Sequence, residues 1–410
     1  MNKLLRIGLA ASMLLGGAAV LSACGGSGDG LKVAMVCIGD PNTSTYDKNF
    51  KMGLDAAAEE LNIPQENVFY YSAKGEADDA RQAAIDAAED GCDVVILNSY
   101  GHQYFADAVA QMYPNVKFIS CTGDLAHTQN IPNLYNAFAN IFEGRYLAGV
   151  AAGKKLMEKT GADNHVIGYV AAFPYAEVIS GYTAFYLGAK SVCEDVTMKY
   201  VVTSDWGNSE KEAAAATALI AAGCDLISQH ADTYGAPNVC ETSNIPNVSY
   251  NVSTDDKCPN TYLCSSRINW TPYFKLFIKN VMDGKENPVD WSKGIKEDSV
   301  KVGNLGKCAA QGTQEEMEKA KAAIENGTLH IFDTSKFTVS AENNPFANMK
   351  LDDAGHLTSY MADVLYDEDY TADTEAIKDG YFHESEYRSA PYFELRIDGI
   401  TEITDKTSEN

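Results

Sequence analysis

Two stretches of this chain repeat one pattern. AAEDGCDVVILNSYG (87–101) and LIAAGCDLISQHADT (219–233) share the same order: a helix end, Gly-Cys-Asp, an apolar strand and a polar loop. Each copy sits in a run of alternating strand and helix patterns. In the first run, LKVAMVCIGD (31–40) is a continuous apolar stretch closed by Gly-Asp, the pattern of a buried parallel strand. Helix patterns follow at 47–61 and 77–90, with strands at 68–71, 94–97 and 117–121. The second run has strands at 166–170 and 198–202 and helices near 180–192 and at 209–222; Ser209-x-x-Glu212 has the form of a capping box. Repeated β–α units imply a parallel sheet covered by helices on both faces. The expected fold is therefore α/β, two Rossmann-like lobes in tandem. Ligands bind such sheets beyond the carboxyl ends of the strands, and two facing sheets make a cleft that closes about a hinge. After residue 250, 270–284 and 314–326 read as helices, the second ended by Gly327. From about 340 the chain is rich in Asp, Glu and Tyr and is expected to form strands and loops packed on one lobe.

The first residues read as an address. Lys3 and Arg6 precede an apolar stretch, 7–23, that ends in Leu21-Ser22-Ala23-Cys24. This resembles the bacterial lipobox, in which cleavage before the cysteine leaves a thiol for diacylglycerol. The expectation is a lipoprotein signal peptide at 1–23, lipidation of Cys24 and a flexible tether, GGSGDG, reaching residue 30. The other composition arguments are exclusions. Lys and Arg total 32 against 57 Asp and Glu, a net charge of −25, so nothing here neutralises a nucleic-acid polymer. The hydrophobic fraction of 45% is that of a globular chain. Ten cysteines form no CxxC; Cys37, Cys92 and Cys224 sit beside apolar runs and read as small hydrophobes. Cys258 and Cys264, in a loop-like stretch, leave a disulfide or metal pair open.

Candidate ligand contacts come from the loops after the strands. They are Tyr46 and Asp47 in 39–50, Asn98 and Tyr100 in 98–105, Asn136 at the first crossover, Phe173 in 171–182, Trp206 in 203–208, Asp232 in 229–235 and Asn251 in 249–256. Trp206 lies between a strand and a helix cap, where its ring either flanks a planar guest or packs into the joint. Asp232 can accept from ribose hydroxyls or a base N–H, or else form an Asx-turn or N-cap. Asn98 and Asn136 can read a base edge or form turns. The seven histidines form no HExxH, and no GxSxG, Walker A or GxGxxG opens a helix. No enzyme, cofactor or metal assignment follows from the motifs.

NLYNAFANIFEGRYLAGVAAG (133–153), IGYVAAFPYAEVISGYTAFYLGAKSV (167–192), SDWGNSEKEAAAATALIAAGCDLISQHADT (204–233) and INWTPYF (268–274) resemble the basic membrane protein family, the purine nucleoside receptor A-like solute-binding lipoproteins of ABC transporters. The resemblance spans about Lys32 to Asp333. It implies a type I periplasmic-binding-protein fold with three interlobe crossings, an aromatic clamp and an acidic ligand contact. The clamp falls on Tyr46, where this branch more often has Trp, and on Trp206; the acid falls on Asp232. Asn251 replaces a common acidic residue, and Arg267-Ile268-Asn269-Trp270 stands where nucleoside binders place a lysine. Both departures leave a bare nucleobase or another small solute open beside a nucleoside.

The expected organisation is 31–138 with about 251–290 as one lobe, 139–250 with about 291–340 as the other, and 341–410 as a C-terminal extension. The implied partners are a small-molecule ligand, ABC permease and ATPase subunits, and the membrane through the lipid anchor, with the protein a monomer on the extracytoplasmic face. The many unpaired-looking cysteines suit an anaerobic Gram-positive surface. A sugar receptor of the same fold, a surface sensor or adhesin, and a secreted nucleoside hydrolase are the alternatives.

Overall fold

The computed structural model describes residues 30–160, 164–365 and 371–403. The leader, Cys24 and the tether as far as residue 29 lie outside the described residues. Two large sheets build the lobes from Leu31 onward, and a three-stranded and a two-stranded sheet lie in the C-terminal extension. The first has six strands in the order Asp290–Trp291, Leu134–Ala137, Lys117–Cys121, Val94–Leu97, Val33–Val36, Val68–Tyr71, all parallel. The second has seven: Val300–Val302, Tyr262–Ile268, Asn247–Tyr250, Leu226–Gln229, His165–Ala171, Val196–Val202, Ile400–Glu402. Only Val300–Val302 runs antiparallel to its neighbour. Central strands such as Val33–Val36 and Val94–Leu97 are buried at every position, as continuous apolar runs require when helices cover both faces.

The repeated Gly-Cys-Asp closes its helix the same way twice. Gly91 and Gly223 have φ of +81° and +86°, the left-handed conformation that ends the preceding helix and turns the chain into the next strand. The helix after Trp206 starts differently from expectation. Asn208, not Ser209, is its N-cap and accepts from the Lys211 amide. Glu212 is drawn away to the Thr233 amide, so no capping box forms there.

Three chain crossings join the lobes. The first lies between Ala137 and the helix Ile141–Leu156. The second follows Ile268, whose strand belongs to the second sheet; the next helix, Thr271–Asp283, packs on Thr45–Glu60 of the first lobe. Sheet membership thus places the return to the first lobe after residue 268, later than the expected 251. The third crossing runs from Trp291 to Val300. Trp270 anchors the second crossing, stacked on Phe50 at 4.3 Å between ring centres. Cys258 and Cys264 are both free and buried; Cys258 Sγ instead donates to the Thr254 carbonyl at 3.2 Å, which fills a polar pocket without a partner thiol.

The C-terminal extension touches both lobes, not one. Its last described strand, Ile400–Glu402, adds to the edge of the second sheet, while Arg388 lies 3.7 Å from Asp124 and the Ser389 amide donates to Asp290, both on the first lobe.

Helices Ile141–Leu156 and Ala176–Lys190 pack backbone to backbone. A Cβ on Gly149 would stand 2.0 Å from the Phe185 carbonyl oxygen, and one on Gly188 would stand 2.0 Å from that of Tyr146. Gly149→Ala is expected to destabilise by about 1–3 kcal/mol, the cost of overpacking against backbone that cannot yield. Urea unfolding checks this; an unchanged midpoint would show that the helices separate freely.

Candidate ligand-binding site

The carboxyl ends of the two sheets face each other across a cleft. From the first lobe, Ile38, Tyr46, Ser99, Tyr100 and Thr122 line it; from the second, Glu177, Trp206, His230 and Asp232. The lobes are closed: the amide and hydroxyl of Thr45 each donate to the Asp232 carbonyl at 2.9 Å. The cavity left between the lobes is small, with about 20 Å³ open to the centre of a water molecule. A guest must enter by lobe opening.

Aromatic rings form one side. Trp206 is backed by Phe173 at 4.9 Å and Tyr175 at 5.9 Å, and Phe173 stacks on Tyr175 at 11°. Phe173 therefore supports Trp206 and is not itself a lining residue. Tyr46 is held by its hydroxyl, which donates to the Asn98 carbonyl, and by Phe50 at 4.9 Å. Tyr100 reaches across the lobes to Tyr175, 6.1 Å between ring centres.

The polar side is set by a buried chain of groups. Arg145, on the helix after the first crossing, donates to the Gln229 carbonyl at 2.9 Å and faces His230 Nδ1 at 3.2 Å. A guanidinium only donates, so Nδ1 accepts and the ring proton sits on Nε2. Nε2 then donates to Glu177 Oε1 at 3.3 Å. Burial holds the His230 pKa below its ordinary value, which keeps the ring neutral. Asp232 is different: burial, then the carboxylates of Glu212, Asp47 and Glu177, push its carboxyl well above the usual range, with Arg145 opposing. Burial therefore favours the protonated form of Asp232, able to donate, beside Glu177, which accepts from His230.

Other expected contacts serve as bracing. Asp47 accepts from the Gly39 amide and from Asn98 Nδ2, while Asn98 Oδ1 accepts from the Ile38 amide. The two side chains tie the segment after Val33–Val36 to the end of strand Val94–Leu97. Asn136 donates to the Ser120 carbonyl, and Asn251 to Asp232 Oδ1 at 3.3 Å. Asn251 has φ of +68°, a conformation that asparagine tolerates better than most L residues. Of the nine expected contacts, Tyr46, Tyr100, Trp206 and Asp232 line the cavity. Glu177, His230 and Arg145 escaped sequence reasoning. Arg145 carried a usable signal, a lone arginine in the otherwise small and apolar RYLAGVAAG.

Residues 31–334 match the family model described as ABC transporter substrate-binding protein, PnrA-like. The chain belongs to that family. Its members are solute-binding proteins, not enzymes, and a small-molecule ligand and transporter partners come with membership. A relative named as a purine-binding protein of Brucella abortus (strain 2308) is 31% identical over 80% of this chain and 88% of its own. A protein of Haloferax volcanii named as a putative ABC transporter glucose-binding protein is 28% identical over 64% of each chain. The fold is similar to a solute-binding protein of Aeropyrum pernix K1, with a TM-score of 0.63 over 74% of this chain and 93% of the other at 16% identity. Among the described residues no helix is long and apolar enough to cross a membrane.

Glu212, under the 229–233 loop, has its pKa raised to about 7 from an ordinary 4.5, chiefly by burial. The folded state keeps this proton across that window while the unfolded state releases it. Stability from this group is full below pH 4.5 and is lost as pH rises towards 7. Glu212→Gln keeps an acceptor for Thr233 and should flatten the pH dependence of thermal unfolding in that window. An identical slope in the variant would assign the effect to other acids.

Proposed function

We propose that this chain is the lipid-anchored receptor of an ABC importer and that it captures a purine nucleobase or nucleoside in the interlobe cleft. The observation that carries this reading is the lining of the cleft: Tyr46 and Tyr100 from the first lobe face Trp206 of the second, with the carboxyl groups of Glu177 and Asp232 beside it. Nucleobase edges alternate N–H donors with ring-nitrogen acceptors. Glu177 takes an N–H and protonated Asp232 gives its proton to a ring nitrogen or carbonyl. Stacking contributes about 1–3 kcal/mol per base. The guest enters the open form, settles on Trp206, and closure brings Thr45 onto the Asp232 carbonyl; the permease then meets the closed form. The name of the Brucella abortus relative supports a purine.

A sugar is the second reading, favoured by the name of the Haloferax volcanii relative and by carboxyl groups that can bind hydroxyls. The aromatic side chains that both lobes bring to the cleft, Tyr46, Tyr100 and Trp206, favour the planar guest.

A thermal-shift screen of purines, nucleosides, pentoses and hexoses separates the two. A ligand at 100 times its Kd stabilises by about 2.7 kcal/mol. The expectation is a shift with a purine compound; a shift with a sugar and none with any purine would overturn the proposal. Trp206→Ala should weaken purine binding by at least about 1 kcal/mol in calorimetric titration. Unchanged affinity would make Trp206 a packing residue.

The anchor rests on the 1–24 segment of the sequence. Cys24→Ala should move the protein from the membrane fraction to the medium or periplasm. Retention of acyl label in that variant would refute lipidation at Cys24.

A further inference from the structure

We propose that His165, Cys193 and Asp195 form a binding site for a zinc-type divalent ion on the second lobe, at the opposite edge of the sheet from the cleft. His165 opens the strand His165–Ala171, whose far end gives onto the cleft; Cys193 and Asp195 lie between the helix Ala176–Lys190 and the strand Val196–Val202. The two strands are parallel and in register, with His165 opposite Val196. The site therefore sits at the amino ends of both strands, roughly 20 Å from the cleft by strand rise.

The donor atoms converge. His165 Nδ1 is 3.0 Å from Asp195 Oδ1, Cys193 Sγ is 3.4 Å from the same oxygen, and the three lie within 4.8 Å of one another. Tetrahedral ligands at zinc bond lengths stand about 3.3–3.6 Å apart, close to this spacing. His165 Nδ1 faces both Asp195 oxygens at 3.0 Å; an ion there would take the Nδ1 lone pair in place of that hydrogen bond, with the ring proton on Nε2 held by the Lys159 carbonyl 3.2 Å away. That is the outer partner a metal-bound histidine ordinarily has. His165 and Cys193 are buried, while Asp195 is exposed, so one side stays open for ion entry and a water ligand. A mixed nitrogen, sulfur and oxygen set selects Zn²⁺ or Co²⁺ over Mg²⁺ or Ca²⁺. No other group of three such side chains meets this geometry among the described residues.

Binding forms an S–M bond to Cys193 as its S–H bond breaks, and the proton passes to solvent. Release of this proton accompanies loading. The ion would pin the start of one strand to the turn before its neighbour. Sequence spacing hid the site, because Cys-x-Asp is unremarkable until the register brings a histidine from 28 positions earlier beside it.

Cobalt(II) titration of the reduced, chelator-treated protein tests the site, since thiolate ligation gives a near-ultraviolet charge-transfer band. One saturable equivalent with that band, displaced by Zn²⁺, is expected. Cys193→Ser should abolish the band, and Asp195→Asn, changed on the exposed side where folding is undisturbed, should weaken binding at least tenfold. No band in the wild-type protein, an undiminished band in Cys193→Ser, or unchanged affinity in Asp195→Asn would each overturn the proposal.

Discussion

The guanidinium of Arg145 orders the ligand side of the second lobe. It is 1% exposed, and a buried cation costs several kcal/mol unless it is fully accompanied. Its company is the Gln229 carbonyl, His230 Nδ1 and the face of Tyr250, whose ring centre lies 3.4 Å from Cζ. Through the first it holds the backbone that leads to Asp232. Through the second it decides which histidine nitrogen carries the proton, and so which way Glu177 is held. The helix that carries Arg145 is in turn fixed by its glycine contacts with Ala176–Lys190, the helix that carries Glu177. The helices Ile141–Leu156 and Ala176–Lys190 are thus a packing device that aims Arg145 and Glu177.

Charge is distributed by function. The chain as a whole has a formal charge of −25, which favours solubility and says nothing about its guest. The cleft is arranged otherwise. Burial, and then three nearby carboxyl groups, raise the Asp232 carboxyl well above its usual range.

Much of the fold was legible because strand and helix periodicity is local. Strands 68–71, 94–97 and 117–121 coincide with the observed ones, and Gly91 and Gly223 ended the expected helices. Legibility failed where distant groups compete for one partner. Glu212 was expected to cap its own helix, but the unsatisfied Thr233 amide, 21 residues on, takes its carboxylate. Phe173, Asp47, Asn98, Asn136 and Asn251 were chosen for lying on the right loops. A loop position does not say whether a side chain faces the cavity or the loop behind it, and these five face their neighbours.

The sequence by itself determined the α/β class, the duplicated lobes, the strand-end loops that border the cleft, and Trp206, Tyr46, Tyr100 and Asp232 as residues there. These follow from patterns that span a few turns or a few strand residues. The tertiary structure alone decided the closed cleft, the upward shift of the Asp232 carboxyl, the Arg145–His230–Glu177 chain and the meeting of His165 with Cys193 and Asp195. The reason is physical: desolvation and hydrogen-bond pairing depend on which side chains folding brings together, and Arg145 and His230 meet across 85 residues of chain.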